Sequence, residues 1–280
     1  MQNATILMAA LVLMHHSKET SAQAKAPKVL TDSSMALGYI KPESHCFSHV
    51  DQKCNVQPGK YIDSKSLAVI SGVFTCNTQG TRHYFKVFYN NKEYFINQED
   101  LITDAGYFEQ ISKMNPEAVE NFKSHAGNTA QVLYLNKLKE VQSFLEGCKV
   151  RGLMLLDWSV YDESEYTQGT SIKIRVHNPT LKTIKYLWFT FLGLNPVGDK
   201  VTDKKRGTNI TMQGVGPIKP SEEGTYEFSY VWFTDMVDDA RIVSIKVQYM
   251  DGSVKVISKP SDIILSNDYH DILTDGSGED

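Results

Sequence analysis

Between Arg151 and about Ser258 apolar and polar residues alternate, most clearly in Ile172-Lys173-Ile174-Arg175-Val176 and Ile242-Val243-Ser244-Ile245-Lys246-Val247. A period of two sets one row of side chains on a core and the other in water, as an antiparallel sheet requires. The pattern predicts strands over 153–161, 171–177, 184–194, 209–213, 224–233, 242–249 and 254–257. Asn178-Pro179, Asn195-Pro196-Val197-Gly198-Asp199, Gly214-Val215-Gly216-Pro217 and Asp251-Gly252 supply turn chemistry between them. Short strands at this spacing argue a β-sandwich of two packed sheets. Without a cysteine after Cys148, bulk in its core is expected from Trp158, Trp188 and Trp232.

An earlier strand-rich stretch begins at Gly59. Leu67-Ala68-Val69-Ile70, Gly72-Val73-Phe74-Thr75-Cys76, Tyr84 to Tyr89 and Glu93 to Ile96 are short β-branched and aromatic runs. Asn90-Asn91 suits a two-residue hairpin loop, because Asn tolerates positive φ. These strands predict a small barrel. After Gly106 the period lengthens to about 3.6. Asn115 is placed to cap a helix with Pro116 at its first position. His125-Ala126-Gly127-Asn128 is read as a break. A second helix follows, with Tyr134, Leu138, Val141, Leu145 and Cys148 in one apolar stripe and an end at Gly147. That stripe suits packing on a neighbouring domain better than a coiled-coil seam.

The first residues concern export. Ile6 to Met14 is unbroken apolar sequence, followed by Ala22-Gln23-Ala24, a small-x-small pattern. This reads as a secretory signal removed after Ala24 or Ala26, although no Lys or Arg precedes the apolar run. The expected organisation is a signal peptide over 1–26, a lead-in segment over 27–56 with one strand near Met35 to Ile40, and a barrel over 57–105. A helical connector over 106–149, a sandwich over 150–258 and a flexible acidic tail over 259–280 complete it.

Charge narrows the partners. The 280 residues carry 29 Lys+Arg against 33 Asp+Glu, a formal charge of −4. No basic excess draws the chain to nucleic acid, and no apolar run is long enough for a membrane span. In an exported chain, Cys46, Cys54, Cys76 and Cys148 are read as disulfide-forming. The short polar segment between Cys46 and Cys54 favours pairing those two, which leaves Cys76 with Cys148. The rival is a structural metal site from His45, Cys46, His49 and Cys54, although adjacent His45 and Cys46 seldom reach one ion.

Residues Tyr84 to Ile96, followed by Asn97-Gln98-Glu99-Asp100-Leu101-Ile102, resemble the closing hairpin and final turn of a bacterial SH3-like domain. The resemblance implies a cell-wall or peptide binder, with Tyr84, Tyr89 and Tyr94 as a docking groove; in a small barrel, alternate aromatics are more often its core and outer cross-strand pairs. Val176-His177-Asn178-Pro179-Thr180, Lys182 to Tyr186, Gly216-Pro217-Ile218 and Val247 to Gly252 resemble an Ig-like sandwich of the FxLYD-like kind in bacterial exported proteins. That resemblance implies a scaffold and no catalytic residues. The expected fold class is therefore mainly β with a helical connector: a small SH3-like barrel, two helices, then an Ig-like antiparallel β-sandwich.

There is no G-x-S-x-G, H-E-x-x-H or phosphate loop, and Gly214-Val215-Gly216-Pro217 leads into a strand where a phosphate cradle needs a helix. Asp162, Glu163 and Glu165, and Asp235, Asp238 and Asp239, read as solvated acidic loops; the second is a weak calcium candidate. The expectation is an exported, non-catalytic binding or scaffolding protein without cofactor. Its partner would be another exported protein, a peptide or a cell-wall glycan. The alternative is a hydrolase with a site between domains, using His125 or His177 with a nearby carboxylate.

Overall fold

The computed structural model describes residues 37–77, 80–104, 106–163 and 169–275. The signal sequence expected over 1–26 lies outside them, as does Glu165. About half of the described residues lie in strands and about a quarter in helices, and along the sequence a helical segment separates the antiparallel sheets. The described residues divide into two compact units, 37–139 and 140–275.

The first unit is one curled sheet. Its strands are β1 (Leu37–Ile40), β2 (Ser44–Val50), β3 (Val56–Ile62), β4 (Ser66–Asn77), β5 (Thr81–Tyr89), β6 (Lys92–Asn97) and β7 (Leu101–Ile102), in the order β3-β2-β6-β5-β4-β1-β7. The strand-rich stretch therefore begins near Leu37, and most of the expected lead-in belongs to the sheet. β2 and β3 escape a pattern search because they are polar on their open side and because Pro58 lies inside β3. Asn90 and Asn91, at φ 48° and 62°, make the tight turn between β5 and β6. The inner face of the sheet buries Ile40, Ile62, Ile70, Phe85, Val87 and Ile96 against Phe108 and Ile111 of a short helix, α1 (Tyr107–Ser112). Burying Phe108 and Ile111 contributes about 1.5–3 kcal/mol each.

The helix α2 (Pro116–Arg151) starts as its sequence dictates: the Asn115 Oδ1 accepts the Ala118 N–H at 2.8 Å. It does not break at Gly127. Ala126 and Ala130 pack on Val69 and Phe88 of the sheet, and this burial outweighs the helix penalty of about 1 kcal/mol for one glycine. The helix ends at Gly152, not Gly147. Gly152 adopts φ +99° and its N–H reaches the Cys148 carbonyl at 2.7 Å. A Cβ here would lie 2.2 Å from the Tyr249 hydroxyl, so the terminator must be glycine.

The second unit holds two sheets. One contains β8 (Met154–Asp162), β9 (Thr170–His177) and β13 (Glu223–Trp232) in the order β13-β9-β8. The other is built on β10 (Ile184–Leu194), which pairs with β14 (Asp239–Tyr249) on one side and with β11 (Lys200–Val201) and β12 (Asn209–Ile218) on the other; β15 (Val254–Ile257) extends β14. The inward rows meet through rings: Phe189 contacts Tyr226 and Phe228, and Phe191 contacts Trp232. All the strands predicted for the sandwich are present, with β11 added.

Two polar anchors fix its loops. Asn178, fully buried, donates through Nδ2 to the Lys182, Ile218 and Lys219 carbonyls, and its Oδ1 accepts from the N–H and hydroxyl of Thr180. Asp203 accepts the Lys205 and Arg206 N–H groups on Oδ1 and the Phe233 N–H on Oδ2. The expected flexible tail is also corrected. Residues 259–275 form a 3-10 turn (Pro260–Ile263) and α3 (Asn267–Asp275), which bury Ile263, Leu265, Ile272 and Leu273. The acidic residues of the segment hid this apolar face; residues 276–280 lie outside the described ones.

Candidate functional site

Cross-strand register brings a row of apolar and aromatic side chains to the outer face of the β10 sheet. Inward positions of β10 are taken by Leu187, Phe189 and Phe191, all fully buried. Tyr186, Trp188 and Thr190 therefore point outward. Tyr186 stands between Val215 on β12 and Gln248 on β14, with Val254 of β15 beyond Gln248. Trp188 stands between Gln213 and Lys246, with Val256 beyond Lys246. Thr190 is opposite Thr211, their hydroxyl oxygens 3.0 Å apart.

Exposure distinguishes this face from an ordinary solvated one. Val215, Val254 and Val256 are 66%, 47% and 67% exposed. The Tyr186 and Trp188 ring centroids are 5.7 Å apart. Lys185 sits over the Tyr186 ring at 5.1 Å, and Lys246 over the Trp188 ring at 4.6 Å. Such cation–π contacts hold ammonium groups on a surface without neutralising them. The result is an apolar strip, cationic at its rings and flanked by hydroxyl and amide groups. It can bury area against a partner and orient it by charge; it holds no nucleophile or acid–base pair. This corrects the assignment of Trp188 to the core. Trp232 is fully buried, and Trp158 is half-buried with its Nε1 donating to the Ala240 carbonyl at 3.0 Å.

The aromatics expected to form a groove do not share a surface. Tyr84 is buried with Val50 and Cys76, whereas Tyr89 is buried on the opposite side with Ile40 and Ile70. Five residues apart on one strand, they must face opposite ways. Half-buried Tyr94 packs on the Tyr89 side.

The cysteines also pair differently. Cys54 is bonded to Cys76, and Cys46 and Cys148 are unpaired and buried. β2 carries the chain away from Cys46 in an extended strand, while Cys54 sits in the loop before β3 and packs with Cys76. Burial, with the Asp100 charge behind it, pushes the Cys46 thiol up to about 12; burial does the same for Cys148. Neither is a nucleophile at neutral pH. The alternative metal set is split as well: His45 and His49 are exposed, Cys46 points into the core and Cys54 is in the disulfide. Among the described residues no three of His, Cys, Asp and Glu are arranged to hold a metal ion.

The candidate bases are separate. His125 is exposed on α2. His177 is buried at the end of β9, its Nδ1 makes no hydrogen bond, and burial lowers its pKa to about 4. A base needs a substrate-side approach and an orienting partner, and neither is found at His177. Asp235, Asp238 and Asp239 are exposed at the approach to β14.

No family model and no curated protein matches the chain. Solved structures that bear a distant similarity to the chain include the following two. IrmA from Escherichia coli is 13% identical over 43% of this chain and 94% of its own, with a TM-score of 0.30. The Northeast Structural Genomics Consortium target SoR45 is 11% identical over 40% of this chain and 85% of its own, with a TM-score of 0.24. Similarity at that level carries no argument about fold or function.

Proposed function

We propose that the protein is exported and serves in the bacterial cell envelope as a non-catalytic binding or scaffolding protein, with the outer face of the β10 sheet as its binding surface. The observation that supports this reading is the row in which exposed Val215, Val254 and Val256 flank the half-buried rings of Tyr186 and Trp188. Tyr and Trp give large, rigid contact area at little entropic cost, and exposed apolar strips of this kind suit recognition. The disulfide between Cys54 and Cys76 suits an oxidising compartment. No membrane-crossing helix is found among the described residues, which fits release of the mature chain.

Two measurements test the two halves of the proposal. Amino-terminal sequencing of the chain from fractionated cells should find it outside the cytoplasm, beginning after Ala24 or Ala26; Met1 on a cytosolic chain overturns export. A photo-crosslinker placed at Val215 should capture an envelope component that one at Lys173, on the other sheet, does not. Equal capture from both positions overturns the binding surface.

A further inference from the structure

The two sheets of the second unit differ in how they handle charge. On the three-stranded sheet, cations are matched: Arg175 is bridged to Asp157 at 2.9 Å and to Glu223 at 3.3 Å, and Lys173 stands opposite Glu227. On the outer face of the β10 sheet, Lys185, Arg241 and Lys246 are exposed, and among the described residues no carboxylate pairs with any of them. The only acid in its strands is Asp239 at the start of β14, and its Oδ1 is turned onto the Ala240 N–H at 2.7 Å. In a chain of net charge −4, the described residues of the second unit thus carry an unmatched cationic face on one of its two sheets.

From this asymmetry we infer that the face docks an acidic polypeptide segment, one that sets carboxylates beside apolar side chains. The inference rests on the binding reading above and names the partner's chemistry. Charge complementarity selects the sign of the partner: carboxylates meet Lys185 and Lys246 where those ammonium groups already lie, on the rings of Tyr186 and Trp188. The valines select polypeptide over glycan. Val215, Val254 and Val256 offer only methyl groups, which would leave sugar hydroxyls without hydrogen-bond partners but suit Leu, Val or Phe. A sugar would also have to displace both lysines before it could stack on either ring.

The test titrates the full mature chain with two synthetic capped peptides, one of alternating Asp and Leu and one of alternating Lys and Leu, followed by calorimetry and by amide NMR shifts. The Asp-Leu peptide should bind and shift amides of β10, β14 and β15, and the Lys-Leu peptide should not. Trp188→Ala and the double variant Lys185→Glu/Lys246→Glu should each weaken binding about tenfold or more. Lys173→Glu, on the charge-matched sheet, should leave it unchanged, and added salt should weaken it. The double variant alters only exposed side chains, so it reports on docking even if Trp188→Ala fails to fold. Equal binding of the two peptides, or a bound peptide whose shifts map elsewhere, overturns the inference. Trp188-dependent pelleting with isolated peptidoglycan and no peptide binding also overturns it, in favour of a glycan. Val215 crosslinking to an envelope component would survive that result, so the two proposals fail separately.

Discussion

Asp203 accepts the backbone N–H of Phe233 at 2.7 Å, joining the loop after β11 to the end of β13 across the second unit. Its other oxygen accepts two N–H groups of its own loop at 2.7 and 2.8 Å. Burial alone would raise this carboxyl, but the N–H groups of Phe233, Arg206 and Lys205 outweigh it and hold the pKa below the ordinary 3.8. A lowered folded-state pKa means the contribution is complete above that ordinary value and is lost as the pH falls through the lower one. Asp203→Ala should cost about 1–3 kcal/mol at neutral pH by leaving buried N–H groups unpaired. Urea unfolding at pH 7 measures the loss, and the variant should show less acid sensitivity than the parent below pH 4.

His177 acts in a higher pH window. Its ordinary pKa is 6.5 and burial holds it near 4 in the folded chain. The neutral ring is accommodated and the charged ring is not. Stability is therefore full above pH 6.5 and declines as pH falls toward 4, by on the order of 3 kcal/mol for a shift of this size. Thermal unfolding between pH 4 and 7 should show this slope, and His177→Phe should flatten it.

The disulfide gives a prediction in two parts. Cys54 and Cys76 are 22 residues apart, and closing a loop of that length stabilises by about 3 kcal/mol in the chain-entropy model. Cys54→Ser/Cys76→Ser should lower the guanidinium stability by about that amount. A thiol reagent should find no reactive thiol in the native oxidised protein and two after unfolding without reductant, at Cys46 and Cys148.

Gly127 offers a gain. It lies inside α2, and a Cβ there would meet nothing within 4 Å. Gly127→Ala should therefore raise stability by about 0.5–1 kcal/mol, measured as a shift in the unfolding midpoint.

Legibility in the sequence followed exposure. The sandwich strands could be read because each buries one face and water covers the other, and the turns between them carry Gly, Pro, Asn and Asp. The face proposed for binding was hidden for the opposite reason. Leu187-Trp188-Phe189-Thr190-Phe191 is almost wholly apolar, so its alternation cannot be seen until the pairing of β10 with β12 and β14 is known. β2 was hidden by polarity, since Ser44-His45-Cys46-Phe47-Ser48-His49-Val50 commits few residues to the core. Gly127 misled because local propensity says break, while Ala126 and Ala130 contribute packing energy that only the tertiary structure reveals. The disulfide needed the fold itself: nearness in sequence favoured Cys46 with Cys54, but strand geometry takes them to different environments.

The edges of the seven-stranded sheet have a bearing on solubility. Among the described residues β3 pairs only with β2, and it contains Pro58, which has no N–H to offer a neighbouring molecule; β7, at the other margin, has two residues. Neither rim is a template on which a second polypeptide can extend a ladder. A concentrated preparation should consequently resist aggregation through this half of the protein, even though the sheet hydrogen bonding of its described residues does not close into a ring.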